Sequence, residues 1–278
     1  MSDVSPSPSH HGFDERPQQR SIGWAVRHFL WNFLGCWPLV LVMMVGVLFT
    51  IPVSLLSVEA GYRQGLFFFR QWCRWTLRGF GVRVWVVGLE NIDPKVSYIV
   101  CPNHRSHFDV PILGWTLPLQ VVSVHKKSLE YIPFIGQALW MSRSVGLNRN
   151  DKTDAHRRLQ VVKQRLSTGR SVVIFPEGRR GTGPTLDVFR KGAAVVACEQ
   201  NAPVLPVTVL GSDVIYPPNH LMVHRGDALV IIHPPIETNG LSLEDRDALT
   251  QRIKDVVARP FFPGVVPAER LAGARRVV

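Results

Sequence analysis

Hydrophobic and polar positions divide the chain into three stretches of different periodicity. Residues 1–21 are rich in Ser, Pro, His and Gln and read as a disordered tail. Between Phe29 and Val58 there is no Asp, Glu, Lys, Arg or His, and the centre, Leu39 to Ile51, is almost wholly apolar. Such a run exceeds the roughly 20 residues that cross a bilayer. Pro38 and Pro52 leave room for a kinked span or a re-entrant hairpin. A core helix is the alternative, and the length of the run opposes it. A signal peptide fits less well, because the apolar region begins late and no A-x-A cleavage site follows. Arg16, Arg20 and Arg27 precede the run, and Arg63 and Arg70 follow it. With positive charge on both sides the positive-inside rule sets no orientation, and both ends on the cytoplasmic side would suit the pattern.

At about 100° per residue, Arg63, Arg70, Arg74 and Arg78 share one stripe of a helix over 61–80. Phe68, Phe69, Trp72 and Trp75 fall opposite. No acidic residue occurs between Glu59 and Glu90. This pattern predicts a helix lying in the headgroup layer, with a core helix bearing a solvated basic face as the alternative. Residues 22–82 are thus expected to be a membrane-anchoring helical region.

From Arg83 the pattern changes to short apolar runs alternating with helical stretches. Strands are predicted at 84–87, 98–101, 121–124, 171–175, 204–209 and 229–233. Helices are predicted at 107–116, 128–141, 152–168, 190–200 and 242–258. Asp154 would cap the third helix early and Gly169 would end it, while Ser242 with Asp245 starts the last. The expected fold is α/β, a mixed, mostly parallel sheet flanked by helices over 83–259, preceded by N-terminal membrane-associated helices. Residues 260–278 read as a weakly ordered tail with Arg270, Arg275 and Arg276 turned to lipid or solvent.

Composition adds a surface. Of 278 residues, 46% are hydrophobic, yet the net charge is +11. That pairing fits an apolar, anionic surface such as a membrane leaflet, although basic charge also serves solubility alone. Nucleic acid is the other common partner of such charge, and no helix-turn-helix, zinc-finger or RNA-binding signature supports it. Cys36, Cys73, Cys101 and Cys198 are scattered with no C-x-x-C, which fits a reducing compartment. The tail pair His10-His11 could bind metal, but two histidines alone carry little.

The chemistry concentrates in Pro102-Asn103-His104-Arg105-Ser106-His107-Phe108-Asp109, between the apolar runs Tyr98–Cys101 and Val110–Leu113. His104 and Asp109 form a candidate base and orienting carboxylate without a serine nucleophile. The nucleophile would then be a hydroxyl on the substrate, and the reaction a group transfer to an alcohol. His107 competes for the role of base. The spacing His104-x-x-His107-x-Asp109 also permits a metal site. Cys101 is a conceivable nucleophile or a buried strand cysteine. A second stretch, Phe175-Pro176-Glu177-Gly178-Arg179-Arg180-Gly181-Thr182-Gly183, follows a strand. Its glycines permit close backbone approach and its arginines can grip phosphate. Gly146-Leu147-Asn148-Arg149 and Lys126-Lys127 are weaker signals, each alone no more than a basic turn.

Together these segments resemble the 1-acylglycerol-3-phosphate acyltransferase family of the glycerolipid acyltransferases. Asn103 to Asp109 matches the family's N-H-x-S-x-x-D. Gly146 to Arg149 matches G-x-I-D-R, Phe175 to Arg180 matches F-P-E-G-T-R, and Val204-Leu205-Pro206-Val207 stands for the fourth block. Lys126-Lys127-Ser128-Leu129, Ile132-Pro133-Phe134-Ile135-Gly136 and Phe189-Arg190-Lys191-Gly192 also look like the family, and the likeness covers about residues 83–258. Asn148 replaces the usual Asp and Arg179 the usual Thr, changes that bear on the acceptor headgroup more than on the reaction.

The resemblance implies acyl transfer from an acyl thioester to the free sn-2 hydroxyl of lysophosphatidic acid, giving phosphatidic acid in phospholipid biosynthesis. Acyl-CoA or acyl-carrier protein would be the co-substrate, with no metal or other cofactor. His104 would be the base, favoured over His107 by the family's spacing, and Asp109 its partner. Lys126, Arg149 and Arg180 would bind the acceptor phosphate, and Glu177 and Gly178 would shape that site. Partners would be membrane lipids, the lysophospholipid and the acyl donor. The protein would sit at the membrane with its active domain on the cytoplasmic face. Alternatives are an acyltransferase for another lysolipid, such as a lyso-ornithine lipid or other lysophospholipid, a metal-dependent lipid hydrolase using the histidine pair, and an inactive membrane-binding protein.

Overall fold

In a computed structural model, the structure describes residues 30, 41, 42, 44–46, 48–132, 136, 139, 140, 142–148, 152–218, 220 and 222–278, with the side chains of 152–159 excepted. The tail 1–21, the flanking Arg27, much of the apolar run including Pro38, and Arg149 lie outside these residues.

The chain enters as a helical hairpin. Residues 48–56 are helical, and α1 (Val58–Gly79) follows directly, its first turn capped by the Ser57 hydroxyl, which accepts the Ala60 N–H at 3.3 Å. A Cβ on Gly46 would meet Phe68 at 3.0 Å, and one on Gly61 would overlap Ser54. These pairs are placed symmetrically about Ser57, so the two helices run antiparallel with glycines allowing close approach. Leu55 and Leu56 at the bend are 83% and 89% exposed. Among the described residues, no helix is long and apolar enough to cross a membrane.

Helix α1 does not present its whole arginine stripe to solvent. Arg63 and Arg78 are exposed, but Arg70 donates to the Leu117 and Trp115 carbonyls at 2.7 and 3.2 Å. The Arg70 and Arg74 guanidiniums both sit over the Trp115 ring. Phe69, expected on the lipid side, approaches Gly114 instead and stacks with Trp72. Docking on a neighbouring helix has recruited the edges of both stripes. Phe67 and Trp75 are left as the outward aromatics, at 57% and 46% exposure.

The sheet has eight strands: β1 (Val82–Val87), β2 (Ile99–Pro102), β3 (Val121–Lys126), β4 (Val145–Leu147), β5 (Ser171–Val173), β6 (Val204–Leu210), β7 (Gly226–Ile232) and β8 (Arg275–Arg276). Their spatial order is β4-β3-β5-β2-β6-β7-β1-β8, with β6–β7 and β1–β8 antiparallel and the rest parallel. Alternation sorts the side chains: Ile99 and Cys101 enter one core and Val100 the other. Helix α2 (Asp109–Thr116) packs with α1 over the layer that holds Val100. Helices α3 (Lys152–Ser167), α4 (Gly192–Gln200) and α5 (Arg246–Ala258) cover the opposite face.

The predicted capping signals fall where expected at two helix ends. Gly169 takes φ +80° after α3, and Ser242 and Asp245 form a reciprocal capping box. Asp154 lies inside α3 and its side chain is outside the described ones. The predicted helix at 128–141 begins as a 3-10 turn, Lys127–Tyr131, and much of its remainder lies outside the described residues. The segment after Pro260 departs from expectation. Val266 is buried, β8 pairs with β1, and the Val277 carbonyl accepts the Trp115 indole N–H at 3.0 Å. An unpaired sheet edge and an indole needing an acceptor give this tail its anchor.

Candidate active site

Strands β2, β5, β3 and β4 are mutually parallel, so their carboxyl ends lie along one edge of the sheet. Ligands of open α/β sheets gather at such an edge. The polar loop 103–108 leaves β2 there, and the Phe175–Gly183 loop leaves β5 beside it.

The loop after β2 is fixed by its own side chains. Asn103, fully buried, donates to the Val209 carbonyl at 2.9 Å and accepts the Val209 N–H at 2.7 Å, pairing with β6 as a peptide would. Buried Ser106 donates to the Tyr216 carbonyl at 2.8 Å and accepts the Phe108 N–H at 3.1 Å. Asp109 opens α2 and is fully buried. Its Oδ2 receives the N–H groups of Arg105 and Ser106 at 2.8 and 2.9 Å and lies 2.8 Å from His104 Nδ1. These contacts fix the Asp109 carboxyl group in one orientation against the His104 ring.

With Nδ1 held by Asp109, Nε2 is the ring nitrogen left for a substrate proton. The His104 ring lies against Phe175, centroids 4.0 Å apart, and its side chain is 18% exposed, enough to be reached. Its backbone is gripped on both sides by the second loop. Glu177 Oε1 accepts the His104 N–H at 2.6 Å, and the Gly181 N–H donates to the His104 carbonyl at 2.9 Å. The other Glu177 oxygen accepts the Asp187 N–H at 3.0 Å. Burial raises the Glu177 pKa, against the pull of those two N–H groups. Both carboxylate oxygens therefore serve backbone donors.

Gly178 has φ +70°, and a Cβ there would meet the Arg190 guanidinium at 2.8 Å, so the turn needs glycine. Arg180 is near enough to His107 to lower its pKa, after desolvation, the larger cause. The His107 ring sits 5.9 Å from Tyr216. Lys126 is exposed at the carboxyl end of β3, two strands from β2, roughly 10 Å away at the usual strand spacing. Asn148 follows β4 at the same edge, and Arg149 lies outside the described residues.

Cys101 is fully buried, and burial pushes its thiol up to about 12, leaving no thiolate to attack. Among the described residues, no three His, Cys, Asp or Glu side chains are grouped to hold a metal ion.

Sequence reasoning did not single out Arg105. It is 3% exposed, donates to the Gly183 carbonyl and lies over the Phe261 ring. It stitches both loops to the C-terminal segment. An arginine at a variable-looking position inside a motif gives no signal of burial.

Comparison with known proteins bears on the family and the fold. A model of the acyltransferase family matches residues 83–210. The 1-acyl-sn-glycerol-3-phosphate acyltransferase of Saccharomyces cerevisiae is 32% identical over 181 residues, 63% of this chain and 58% of the yeast protein. The Borreliella burgdorferi protein of that name is 30% identical over 180 residues, 64% of this chain and 72% of that one. The chain thus spans under two thirds of the yeast relative and somewhat more of the spirochaete one. The crystal structure of a 1-acyl-sn-glycerophosphate acyltransferase from Thermotoga maritima superposes with a TM-score of 0.73 over 84% of this chain and 95% of that one. At 24% identity that likeness speaks for the fold.

Proposed function

The chain belongs to the acyltransferase family, and from that premise we propose that it moves an acyl group from a thioester to the sn-2 hydroxyl of lysophosphatidic acid. The observation that carries the reading is the His104–Asp109 pair at 2.8 Å beside an arginine-bearing loop. Relatives named for acylation of 1-acylglycerol-3-phosphate supply the acceptor.

In the mechanism we propose, His104 Nε2 accepts the acceptor's proton as its oxygen attacks the thioester carbonyl. Asp109 holds the tautomer with hydrogen on Nδ1 and stabilises the imidazolium that forms. The tetrahedral intermediate collapses with loss of the thiolate. A thiol with a pKa of about 8.5 is a competent leaving group, and the imidazolium returns its proton to it. No step passes through a metal. Arg180, with Lys126 at the same edge, would neutralise the acceptor phosphate, joined by Arg149 if the family motif holds, and Gly178 would let it approach the backbone. The donor would be acyl-CoA or acyl-carrier protein. The exposed leucines of the hairpin bend would seat the protein in the bilayer where acceptor and product reside. The active domain would lie on the cytoplasmic face, an arrangement that arginines on both flanks of the apolar run would suit if both its ends lie on that side.

The test is thiol release by the purified protein in detergent, with an acyl thioester and a panel of lysolipids. Release should depend on a phosphate-bearing acceptor and fall about 10³-fold or more in His104→Ala and Asp109→Asn. Full activity in His104→Ala would sink the mechanism. Equal use of a phosphate-free lyso-ornithine lipid would move the acceptor to another class.

A further inference from the structure

A second cluster of cations stands at the opposite edge of the sheet, where β5 begins. Arg165 ends α3, Arg170 immediately precedes β5, and Arg143 lies just before β4. Arg170 is 5% exposed, with its guanidinium 4.2 Å over the Tyr62 ring, one donor on Thr168 at 3.1 Å and another on Glu59. Those contacts fasten the root of α1 to the domain. They do not use every donor, because the Nε groups of Arg170 and Arg165 are buried with no hydrogen-bond partner among the described residues. The charges do not cancel either. Arg165 is desolvated and repelled by both Arg143 and Arg170, while Glu59, itself 58% exposed, pairs with Arg170 alone among the described residues. Arg143 takes a left-handed backbone, φ +54°, that a side chain other than Asn or Gly adopts at a cost.

Partly buried guanidiniums with spare donors and too little counter-charge make an oxyanion site. Its surroundings say which oxyanion. Glu59 and Tyr62 sit one turn past the hairpin bend, whose Leu55, Leu56 and Val58 are exposed, and Trp140, also exposed, accepts the Arg143 N–H at 3.0 Å through its carbonyl. Apolar side chains beside arginines match the acyl and phosphate levels of a leaflet.

We propose that Arg143, Arg165 and Arg170 bind the phosphate of an anionic membrane phospholipid, a headgroup site separate from the acceptor site on the far edge of β5. The inference uses the membrane role proposed above for the source of the phosphate, and its test does not depend on acyl transfer. The site orients the domain on the leaflet and gives it a preference for anionic lipid.

The test is flotation of the full-length protein with phosphatidylcholine vesicles, with and without a third of the lipid as phosphatidylglycerol. The Arg143→Gln/Arg165→Gln pair should lose roughly tenfold of the wild-type preference for anionic vesicles. Its acyl transfer in detergent should stay at the wild-type rate. Arg275→Gln/Arg276→Gln, on the exposed strand β8, removes equal charge and should cost at most about twofold. Equal losses in the two pairs, or none in the first, overturn the site. Displacement by millimolar inorganic phosphate would assign the site to a free anion and overturn the headgroup. Independently of any variant, a soluble short-chain phosphatidylglycerol should raise the wild-type Tm while its phosphatidylcholine counterpart does not. Equal shifts count against the proposal. Wild-type protein inactive with every lysolipid yet selective for anionic vesicles would overturn the enzyme reading and keep this one.

Discussion

Strand β5 has a buried charge at each end, and the two behave differently. Past its carboxyl end, Glu177 gives both oxygens to backbone N–H groups, one of them that of His104. Before its amino end, Arg170 ties Glu59, Thr168 and Tyr62 together and still has a donor without a partner among the described residues. Both residues are almost fully buried, so burial does not separate them. Satisfaction does. Between these two, Glu177 closes its hydrogen bonds within the chain and belongs to the frame, whereas Arg170 keeps an Nε–H with no partner among the described residues and sits in a cluster of like charges. On this argument Glu177 sets where His104 sits, and Arg170 belongs to a binding surface.

Of the changes at the two ends of β5, the largest effect should come from Glu177→Gln. The amide keeps one acceptor but sets an NH₂ against a backbone N–H. Hydrogen bonds to a charged acceptor are worth about 1.5–3 kcal/mol each, so the clamp on one loop should open. A displacement of His104 by a fraction of an ångström should lower kcat by roughly 10²-fold. KM for the lysolipid should change less than about threefold, because the carboxylate holds backbone and not acceptor. Steady-state kinetics on both substrates decide it. If KM rises and kcat holds, Glu177 contacts the acceptor, as its place in the family motif suggests, and the contrast with Arg170 fails.

Arg170→Met sharpens the other half. The thioether fills part of the stem's volume over Tyr62 but removes the Glu59 pair and the cation–π contact. We expect a loss of about 1–2 kcal/mol in stability, read as a lower midpoint in denaturant. The kcat in detergent should stay within about twofold, since Arg170 stands at the edge away from His104. A large fall in kcat with unchanged stability would mean that the two ends of β5 are not separate.

Legibility from sequence follows the same division. The sheet could be read because Tyr98–Cys101, Val121–Val124 and Val204–Val209 are apolar runs of strand length, and their pairing needed only the α/β pattern. Strands β4 and β8 went unseen because three and two residues carry no period. The dyad could be read because His104 and Asp109 lie in one loop, where spacing stands in for distance. The clamp from Glu177 joins residues 73 apart, and Arg105 and Arg170 are buried cations, against the usual tendency of arginine to stay in water. The arginine stripe of α1 was visible as a stripe, but which arginines would turn inward depended on Trp115 and Leu117, carried by another element.

The smallest effect probes the reach of the catalytic edge. The His107 pKa is lowered first by desolvation and then by the Arg180 charge. Its neutral form is therefore preferred in the folded protein. That preference costs nothing above a free histidine's pKa of about 6.5, and stability falls as pH drops from there through the folded value. Removing the cation in Arg180→Ala should raise the His107 pKa part of the way back toward the ordinary histidine value, leaving the burial contribution in place. An NMR titration of the histidine ring protons reads the shift directly. Stability below about pH 6 should improve slightly relative to that at pH 8. An unmoved His107 would place the guanidinium outside this pocket, and with it the proposed phosphate contact beside His104. A shift here with none in Arg170→Met would confine the coupling to the carboxyl edge, as the two ends of β5 require.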